Sequence, residues 1–325
     1  MADEIVLQVE DLKTYFFTRS GVVKAVDGVS FELKRGETLG IVGESGSGKS
    51  MTAWSILGLV PEPAGRIVGG RILYQGEDLL QKSRADMREI RGSGICMVMQ
   101  DPLTSLNPVF TVGNQIIESL SLDSDDNRRT LREKAADLLT KVHIPAPDSR
   151  LDSFPHQMSG GMRQRVVGAI AIARSPNILI ADEPTTSLDA TIQLQYLRLL
   201  KDIQAQTGAA IIFITHDFGI VARMCDRVAV MYAGRFVEQA EVEQLFDNPS
   251  HPYTEALLQS VPNLDTDVDL LPSIEGQPPS PDDLPEGCAF APRCPYVFDK
   301  CSEYPPDFLI EPGQVARCWR HDGSG

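Results

Sequence analysis

Hydrophobic residues near the start of the chain alternate with polar ones and then give way to a short continuous apolar run. From Ile5 to Phe31 the alternation around two turn signals predicts an antiparallel hairpin. The run Thr38–Val42 predicts a buried strand, and the stretch Met51–Val60 is typical of a helix. The N-terminal part is therefore predicted to run from a hairpin through a strand and a glycine-rich loop into a helix.

Strand and helix patterns then divide the middle of the chain. Apolar runs predict strands at 70–74 and 95–99, whereas residues from about 103 to 174 follow a helical period, as in Val112–Leu122 and Asn127–Val142. Strand patterns return at 177–181 and 209–214, with a helix to about Ala205 between them. The sequence thus predicts an α/β core that carries a helical subdomain at about 103–174.

The loop after the buried strand fits the phosphate-binding pattern G-x-x-x-x-G-K-[ST], with Gly43, Glu44, Ser45, Gly46, Ser47, Gly48, Lys49 and Ser50. Its glycines let backbone N–H groups face a polyphosphate, and the helix N-terminus adds partial positive charge. Lys49 would reach the β- and γ-phosphates, and the Ser50 hydroxyl would bind Mg²⁺. The alternative is a chance glycine-rich turn that binds no nucleotide.

Two further features near this loop have open interpretations. Tyr15, Phe16 and Phe17 precede the loop, so one aromatic ring could stack on adenine, although aromatic strand residues are core by default. Gln100 follows the strand at 95–99, where its amide oxygen could contact Mg²⁺ or water, and the alternative is a loop glutamine without a ligand.

Polar residues that could bind an anion or Mg²⁺, or activate a water molecule, recur later in the chain. Ser159 is predicted to cap a helix whose first residues, Gly160 and Gly161, leave N–H groups open to an anion. The strand at 177–181 ends at Asp182, predicted to hold Mg²⁺, and Glu183, the candidate base for an attacking water. Beyond them come Ser187-Leu188-Asp189 and, after the strand at 209–214, His216. A capped helix, a structural acid pair and a structural histidine are the alternatives.

Composition limits the classes of partner. The chain has 325 residues and a formal charge of −15, which argues against a nucleic-acid partner because such a partner calls for a basic face. No apolar run approaches the roughly 18 residues that span a bilayer. The N-terminus is acidic and lacks an apolar signal region, so we expect the chain to stay in the cytosol.

The composition changes after about residue 246. Residues 247–325 contain 13 of the 22 prolines and carry 14 acidic against 4 basic side chains, which predicts an irregular extension. Four cysteines lie there with the spacing C-x5-C-x6-C-x16-C: Cys288, Cys294, Cys301 and Cys318. A reducing cytosol disfavours disulfides, so a metal site is expected, and the spacing alone leaves zinc and an iron–sulfur cluster open.

The order of these motifs resembles the ATP-binding subunits of ABC transporters. The resemblance implies an ABC-type ATPase core, with a P-loop parallel sheet and an antiparallel β subdomain, at 1–246 and an extension at 247–325. It implies that Glu183, His216 and Gln100 are catalytic and that Mg²⁺ is held by Ser50, Gln100 and Asp182. The implied ATP contacts are Phe16 or Tyr15, Gly43, Ser45, Gly46, Gly48, Lys49, Ser50, Met51, Gln100, Ser159, Gly160, Gly161, Asp189 and His216.

The segment His251–Leu258, followed by Val261-Pro262, resembles the C-terminal extension of the oligopeptide/dipeptide permease ATPases. Members of that subgroup with the same four cysteines look like [4Fe–4S] carriers, which favours the cluster over Zn²⁺. We expect a structural or docking role, because nothing in the sequence places the cluster near the ATP phosphates, and redox sensing is the alternative. The resemblance implies import of peptides or similar solutes, with ATP-driven pairing of two ATPase subunits. It further implies two transmembrane permease subunits and, indirectly, an extracytoplasmic solute-binding protein, with the chain at the cytoplasmic membrane face.

Two other functions compete with this interpretation. A soluble ABC-type ATPase of DNA repair or translation usually has two cassettes, a long coiled coil or a basic surface, and this chain has one cassette, no heptad run and an acidic balance. An ABC exporter subunit is the second, and the permease-like extension disfavours it. Ser159-Gly160-Gly161 resembles the signature motif of the ABC family, which commonly reads LSGGQ. Here Met158 replaces its leucine and Met162 its glutamine, and we expect a subfamily variant that remains functional.

Overall fold

The structure is a computed structural model that describes residues 4–99, 105–186, 188–261 and 273–323. The chain forms two compact units, one from Lys82–Ile212 and one from Ile5–Gln81 with the described residues from Phe213 onward. The strands are β1 (Ile5–Phe17), β2 (Val22–Lys34), β3 (Thr38–Val42), β4 (Gly65–Tyr74), β5 (Glu77–Asp78), β6 (Ile95–Val98), β7 (Ile178–Asp182), β8 (Ala210–Thr215), β9 (Arg227–Tyr232), β10 (Arg235–Glu241), β11 (Phe308–Glu311) and β12 (Gln314–Ala316).

Helices form where the sequence predicts them and also at positions for which it predicts none, such as 84–93 and 218–224. They are α1 (Lys49–Ile56), α2 (Arg84–Ser93), α3 (Val112–Ser121), α4 (Arg128–Lys141), α5 (Pro147–Arg150), α6 (Gly160–Ile172), α7 (Ala190–Thr207), α8 (Phe218–Met224), α9 (Val242–Asp247) and α10 (Pro252–Gln259). Thr111, Asn127, Ser159 and Asp189 cap α3, α4, α6 and α7 through side-chain oxygens. Asx and hydroxyl caps thus mark the helix starts that the sequence predicts.

The unit Lys82–Ile212 holds most of the helical region. Strands β6 and β7 pair in parallel, and all five residues of β7 are buried. Helices α3 and α4 pack together and against α6, which confirms the predicted helical character of this region. Apolar residues such as Val112, Ile116, Leu139 and Val166 form its interior.

The other unit contains two sheets. The first is antiparallel in the order β2-β1-β4-β5, so the predicted hairpin Ile5–Phe31 is confirmed. The second contains the order β11-β12-β10-β9-β3, in which β3 pairs with β9 in parallel and the remaining pairs are antiparallel. All residues of β3 are buried, as a strand covered on both faces requires.

The C-terminal extension contains more regular structure than its proline content indicates. Helix α10 and strands β11 and β12 lie in it, and β12 pairs with β10. The buried carboxylate of Glu238 on β10 accepts hydrogen bonds from the N–H groups of Ser250 and His251 at 2.8 and 2.9 Å and from the amide of Gln314 at 3.0 Å. These contacts bind the extension to the sheet in ways that a composition count does not reveal.

No helix among the described residues is long and apolar enough to cross a lipid bilayer. The predicted division at residues 246 and 247 remains a prediction.

Candidate functional site

Glycine is required at two positions of the loop between β3 and α1. Gly43 has φ 152°, and a Cβ there would lie 2.1 Å from the carbonyl oxygen of Met231. Gly48 has φ 111°, and its Cβ would lie 2.3 Å from the carbonyl oxygen of Ala25. Any side chain at either position would clash with backbone, so the tight path of this loop requires glycine at both.

The polar side chains of this loop have the character of an anion site. The Lys49 ammonium group is buried and donates hydrogen bonds to the carbonyl oxygens of Gly43 at 2.8 Å and Glu44 at 2.9 Å. Ser45, Gly46 and Ser50 are exposed, and Met51 is partly buried at the start of α1. The buried hydroxyl of Ser47 has no hydrogen-bond partner among the described residues. A phosphate oxygen would supply the acceptor that this hydroxyl lacks, so the loop fits a polyphosphate.

The aromatic residues of β1 have different surroundings. The Tyr15 hydroxyl donates a hydrogen bond to Asp27 at 2.5 Å, and burial raises the pKa of this tyrosine to about 12. The Phe16 ring lies against Gly65, where a Cβ would come within 2.8 Å of it. Phe17 is 47% exposed. Adenine stacking by Phe16 or Tyr15 therefore stays a prediction, with the Tyr15 hydroxyl already engaged.

His216 follows β8 directly and precedes Asp217, which caps α8. Its side chain is exposed. A histidine at the carboxyl end of a buried strand is placed as the sequence predicts, and its catalytic role remains a prediction.

The carboxylates Asp182 and Glu183 lie at the end of β7, as the sequence predicts. Asp182 is buried at the last position of the strand. Glu183 adopts φ 44°, an uncommon backbone conformation for a residue with a side chain, and accepts a hydrogen bond from the Thr186 hydroxyl at 3.0 Å. Strain of this kind is often stored at functional sites, which favours a chemical role for Glu183.

The same unit brings the start of α6 close to this acidic loop and to α7. The buried amide of Gln164 donates a hydrogen bond to the carbonyl oxygen of Pro184 at 2.7 Å. A Cβ on Gly161 would lie 2.7 Å from Ile192 of α7, which Asp189 caps through Thr191 and Ile192 N–H groups at 3.0 Å. These contacts connect α6 with the loop that follows the acidic pair and with the start of α7.

Ser159 and Gly160 form an exposed helix start. The Ser159 hydroxyl accepts a hydrogen bond from the Met162 N–H at 3.3 Å, and a Cβ on Gly160 would meet no atom within 4 Å. Both residues are exposed, so the N–H groups at this end of α6 are open to a ligand from outside the chain. The predicted sites at Gln100 and Ser187 lie outside the described residues.

Sequence reasoning missed the contacts of Glu44, the second residue of the phosphate loop. The Glu44 N–H donates to the hydroxyl of Tyr253 at 2.9 Å, and its carboxylate accepts two hydrogen bonds from Arg293 at 2.7 and 3.1 Å. A residue that lies between two of the cysteines therefore contacts the phosphate loop, which the sequence analysis did not predict. One signal was available, because a carboxylate in an anion-binding loop calls for a cation nearby.

The four cysteines of the extension line a single small cavity with about 10 Å³ of free space, together with residues such as Phe290 and Trp319. All four are free thiols. Burial raises the pKa of Cys288 to about 11 and also raises the pKa values of Cys294 and Cys318. As the side chains stand, no group of three or more His, Cys, Asp or Glu residues in the described chain is arranged to hold a metal ion.

Comparison with known proteins decides the family. Residues 26–186 match the model described as ABC transporter, and residues 237–301 match the oligopeptide/dipeptide transporter C-terminal region. The chain is 51% identical over 319 residues to a probable peptide ABC transporter ATP-binding protein, y4tR, of Sinorhizobium fredii, covering 98% of this chain and 95% of the relative. This chain belongs to the ATP-binding subunits of ABC transporters.

Other relatives of this ABC ATPase are similar over nearly their whole length. The oligopeptide transport ATP-binding protein AppD of Bacillus subtilis is 47% identical, with 98% of each chain covered. The dipeptide transport ATP-binding protein DppD of the same organism is 48% identical, with 98% of this chain and 96% of the relative covered. The ABC ATPase therefore matches these subunits in both its core and its extension.

Solved structures agree on the fold. The structure of cbiO1 from Clostridium perfringens, part of the ABC transporter complex cbiONQ, has a TM-score of 0.65 and 29% identity, covering 76% of this chain and 92% of that one. The ATP-binding cassette MJ0796 bound to ADP and Pi has a TM-score of 0.65 at 23% identity, covering 73% and 98%. The α/β core with helices is the ABC ATPase fold, and the chain is an ATPase of that class.

Proposed function

We propose that this ABC ATPase powers the import of di- or oligopeptides or similar small solutes. The observation that carries the proposal is the match of residues 237–301 to the oligopeptide/dipeptide transporter C-terminal region. The names of the relatives y4tR, AppD and DppD, all peptide transport proteins, support it. The acidic balance and the permease-type extension disfavour a soluble ATPase of DNA repair or translation and an exporter subunit.

The proposed ATP chemistry assigns one role to each motif. Lys49 and the N–H groups of the phosphate loop bind the β- and γ-phosphates, and Ser50, Gln100 and Asp182 hold Mg²⁺. The metal ion neutralises phosphate charge. Glu183 accepts the proton of the attacking water. Its position beside the buried Asp182 and its strained backbone support this assignment.

The exposed N-terminus of α6 supports a sandwich of two ATPase subunits around two ATP molecules. Ser159 and Gly160 leave open N–H groups on the surface of the chain. In the proposed dimer these groups, with Gly161 and Asp189, complete the phosphate site of the partner subunit. His216 and the aromatic of β1 complete the site within each chain. The partner is a second copy or a paralogous subunit.

We place the chain at the cytoplasmic face of the membrane, bound to two transmembrane permease subunits. An extracytoplasmic solute-binding protein would deliver the peptide to those subunits. Two conformations of the ATPase pair, closed with ATP and open after hydrolysis, would bias the permease between its two states. The match to the permease-type C-terminal region and the homology to transporter subunits support this placement.

Reconstitution tests the transport function. The ATPase, its partner subunits and the transmembrane subunits encoded with it are incorporated in proteoliposomes, and uptake of labelled di- and oligopeptides is measured with a peptide-loaded binding protein. We expect uptake that depends on ATP and disappears with Lys49→Ala, because the phosphate contacts are lost. ATPase activity that neither co-purifies with membrane subunits nor responds to peptide would contradict the proposal and favour the soluble alternative.

We further propose that Cys288, Cys294, Cys301 and Cys318 hold a [4Fe–4S] cluster. Their convergence on one cavity supports the donor set, since four thiols can ligate either a cluster or Zn²⁺. Metal binding would deprotonate the thiols despite the raised pKa values of Cys288, Cys294 and Cys318. The cavity has about 10 Å³ of free space, so a cluster would have to displace the present packing.

Protein purified without oxygen tests the cluster. We expect a brown protein with iron and acid-labile sulfide that bleaches with dithionite, and loss of the colour with Cys294→Ala. Cys96→Ala is the matched control, because Cys96 lies far along the chain in β6 and should leave the iron content unchanged. Colourless protein with one zinc per chain, or with no metal, would contradict the cluster assignment and leave the ATPase function intact.

A further inference from the structure

The phosphate loop contains a negative charge where its ligand is also negative. Glu44 is the only acidic residue between Gly43 and Ser50, and its side chain is 28% exposed. A carboxylate beside a polyphosphate raises the energy of the bound anion unless a cation neutralises it. The loop therefore needs a positive partner for Glu44 besides the lysine that serves the phosphates.

Arg293 provides this partner from the cysteine segment, residues 288–301. Its guanidinium makes a two-pronged ion pair with Glu44, at 2.7 and 3.1 Å, and its side chain is only 5% exposed. Hydrogen bonding to Glu44 raises the pKa of Arg293 further above its ordinary value. A bidentate pair fixes direction as well as distance, so Arg293 holds the Glu44 carboxylate in one orientation.

Further contacts make the guanidinium a rigid anchor. Arg293 donates to the carbonyl oxygen of Glu275 at 3.1 Å and to the Tyr232 hydroxyl at 3.3 Å. On the other side of the pair, the Glu44 N–H is held by the buried Tyr253. The phosphate loop is thus fixed at Glu44 through both its side chain and its backbone.

The cysteines flank the turn that carries Arg293. The Ala291 N–H donates a hydrogen bond to the backbone carbonyl oxygen of Cys288 at 3.0 Å, and the Cys294 N–H donates to the carbonyl oxygen of Ala291 at 3.2 Å. A single 3₁₀ turn therefore joins the two cysteines. Phe290 of the same turn is buried against Tyr232 and Tyr253, with ring centroids 5.4 and 5.3 Å apart. The order of the cysteine segment therefore determines where Arg293 lies.

We propose that Arg293 is a positioning residue of the ATP site, which neutralises and orients Glu44 and makes nucleotide binding depend on the fold of the cysteine segment. The inference rests on the proposed function in taking ATP as the ligand of the phosphate loop. It does not depend on which metal the cysteines bind, because Arg293 acts on Glu44 through the turn itself.

The test measures the dissociation constant of MgATP by fluorescence in the full chain, handled without oxygen, with folding checked by circular dichroism. We expect Arg293→Ala to weaken binding by about fivefold to thirtyfold, the factor that a coupling of about 1–2 kcal/mol corresponds to. Adding Glu44→Gln to that variant should restore most of the affinity, because the uncompensated charge is removed. Arg317→Ala, which breaks a pair with Asp307 in the same extension, should leave affinity unchanged.

The rescue separates positioning from a merely structural role, because general loosening of the extension would not be repaired by a second change in the phosphate loop. Unchanged affinity in Arg293→Ala, or no recovery in the double variant, would overturn the proposal. If Arg293→Ala does not fold, Arg293→Gln with the same Glu44→Gln partner replaces it and is judged by the same recovery.

Cys294→Ala gives the second measurement. We expect it to weaken MgATP binding in the wild-type background and to add nothing in the Arg293→Ala background, because both act through the same contact. Independent, additive losses would overturn the link through Arg293. Wild-type protein that does not bind MgATP would instead contradict the proposed function.

Discussion

Lowering the pH should destabilise the C-terminal extension through His251. This histidine is 1% exposed at the start of α10, and its Nδ1 accepts a hydrogen bond from the Tyr253 N–H at 3.0 Å. Burial lowers its pKa from 6.5 to about 3, with His321 and Arg320 as lesser causes. A neutral ring is therefore part of the folded state, whereas the unfolded chain is free to bind a proton.

The sign and the size follow from proton linkage. As the pH falls through about 6.5, His251 binds a proton in the unfolded chain but stays neutral in the folded chain. The free energy of unfolding therefore decreases until the pH reaches about 3. Between pH 7 and pH 5 the two pKa values of 6.5 and about 3 give a loss of about 2 kcal/mol from this group alone. That amount is a large fraction of a typical domain stability.

The assay is urea unfolding at pH 7 and pH 5, followed by the fluorescence of Trp319 in a Trp54→Phe background, so that the signal reports the extension. His251→Asn is the comparison, because an asparagine oxygen can accept the Tyr253 N–H and does not titrate. Between pH 7 and pH 5, we expect the free energy of unfolding to fall by about 2 kcal/mol more in the wild-type protein than in His251→Asn. Equal losses in the two proteins would refute the reasoning.

Three further predictions concern the ATP site. Glu183→Gln should lower turnover by about 10²–10⁴ while leaving MgATP affinity intact, measured by phosphate release and by equilibrium binding, and near wild-type turnover would exclude Glu183 as the base. Gly43→Ala should abolish MgATP binding because its Cβ would lie 2.1 Å from the Met231 carbonyl oxygen, whereas Gly21→Ala, also at positive φ but with no atom within 4 Å, should bind normally. Mixing Ser159→Arg with Glu183→Gln subunits should produce one doubly impaired and one intact composite site. If each mutation instead disabled only the ATP held by the phosphate loop of its own chain, the two-subunit sandwich would be contradicted.

Local chemistry made much of the fold predictable. Helix starts at Thr111, Asn127, Ser159 and Asp189 carry oxygen-bearing caps, and the structure places α3, α4, α6 and α7 after them. Fully buried strands such as β3 are predictable because they are continuous apolar runs in the sequence. The phosphate loop and the acidic pair were likewise visible, because each motif is contiguous in sequence.

Contacts between distant segments were not predictable in this way. The pairing of Glu44 with Arg293 joins residues 249 positions apart, and nothing in the spacing of either residue indicates the other. The regular structure of the extension could not be predicted for a similar reason. Strand β12 pairs with β10, and the sequence of β12 alone does not indicate that pairing. Sequence patterns indicate local periodicity, whereas the Glu44–Arg293 ion pair and the pairing of β12 with β10 depend on which segments come into contact in the folded chain.

The buried carboxylate of Glu238 has a practical consequence for anyone who shortens this chain. The three groups that donate hydrogen bonds to it all come from the extension: Ser250, His251 and Gln314. In a fragment that stops before these residues, the carboxylate would lie buried in the sheet without its hydrogen-bond donors. An expression fragment limited to the catalytic motifs should therefore be less stable than the full chain, for a reason unrelated to ATP. Tags and fusion partners are best attached beyond Gln314, where every donor to this carboxylate is retained.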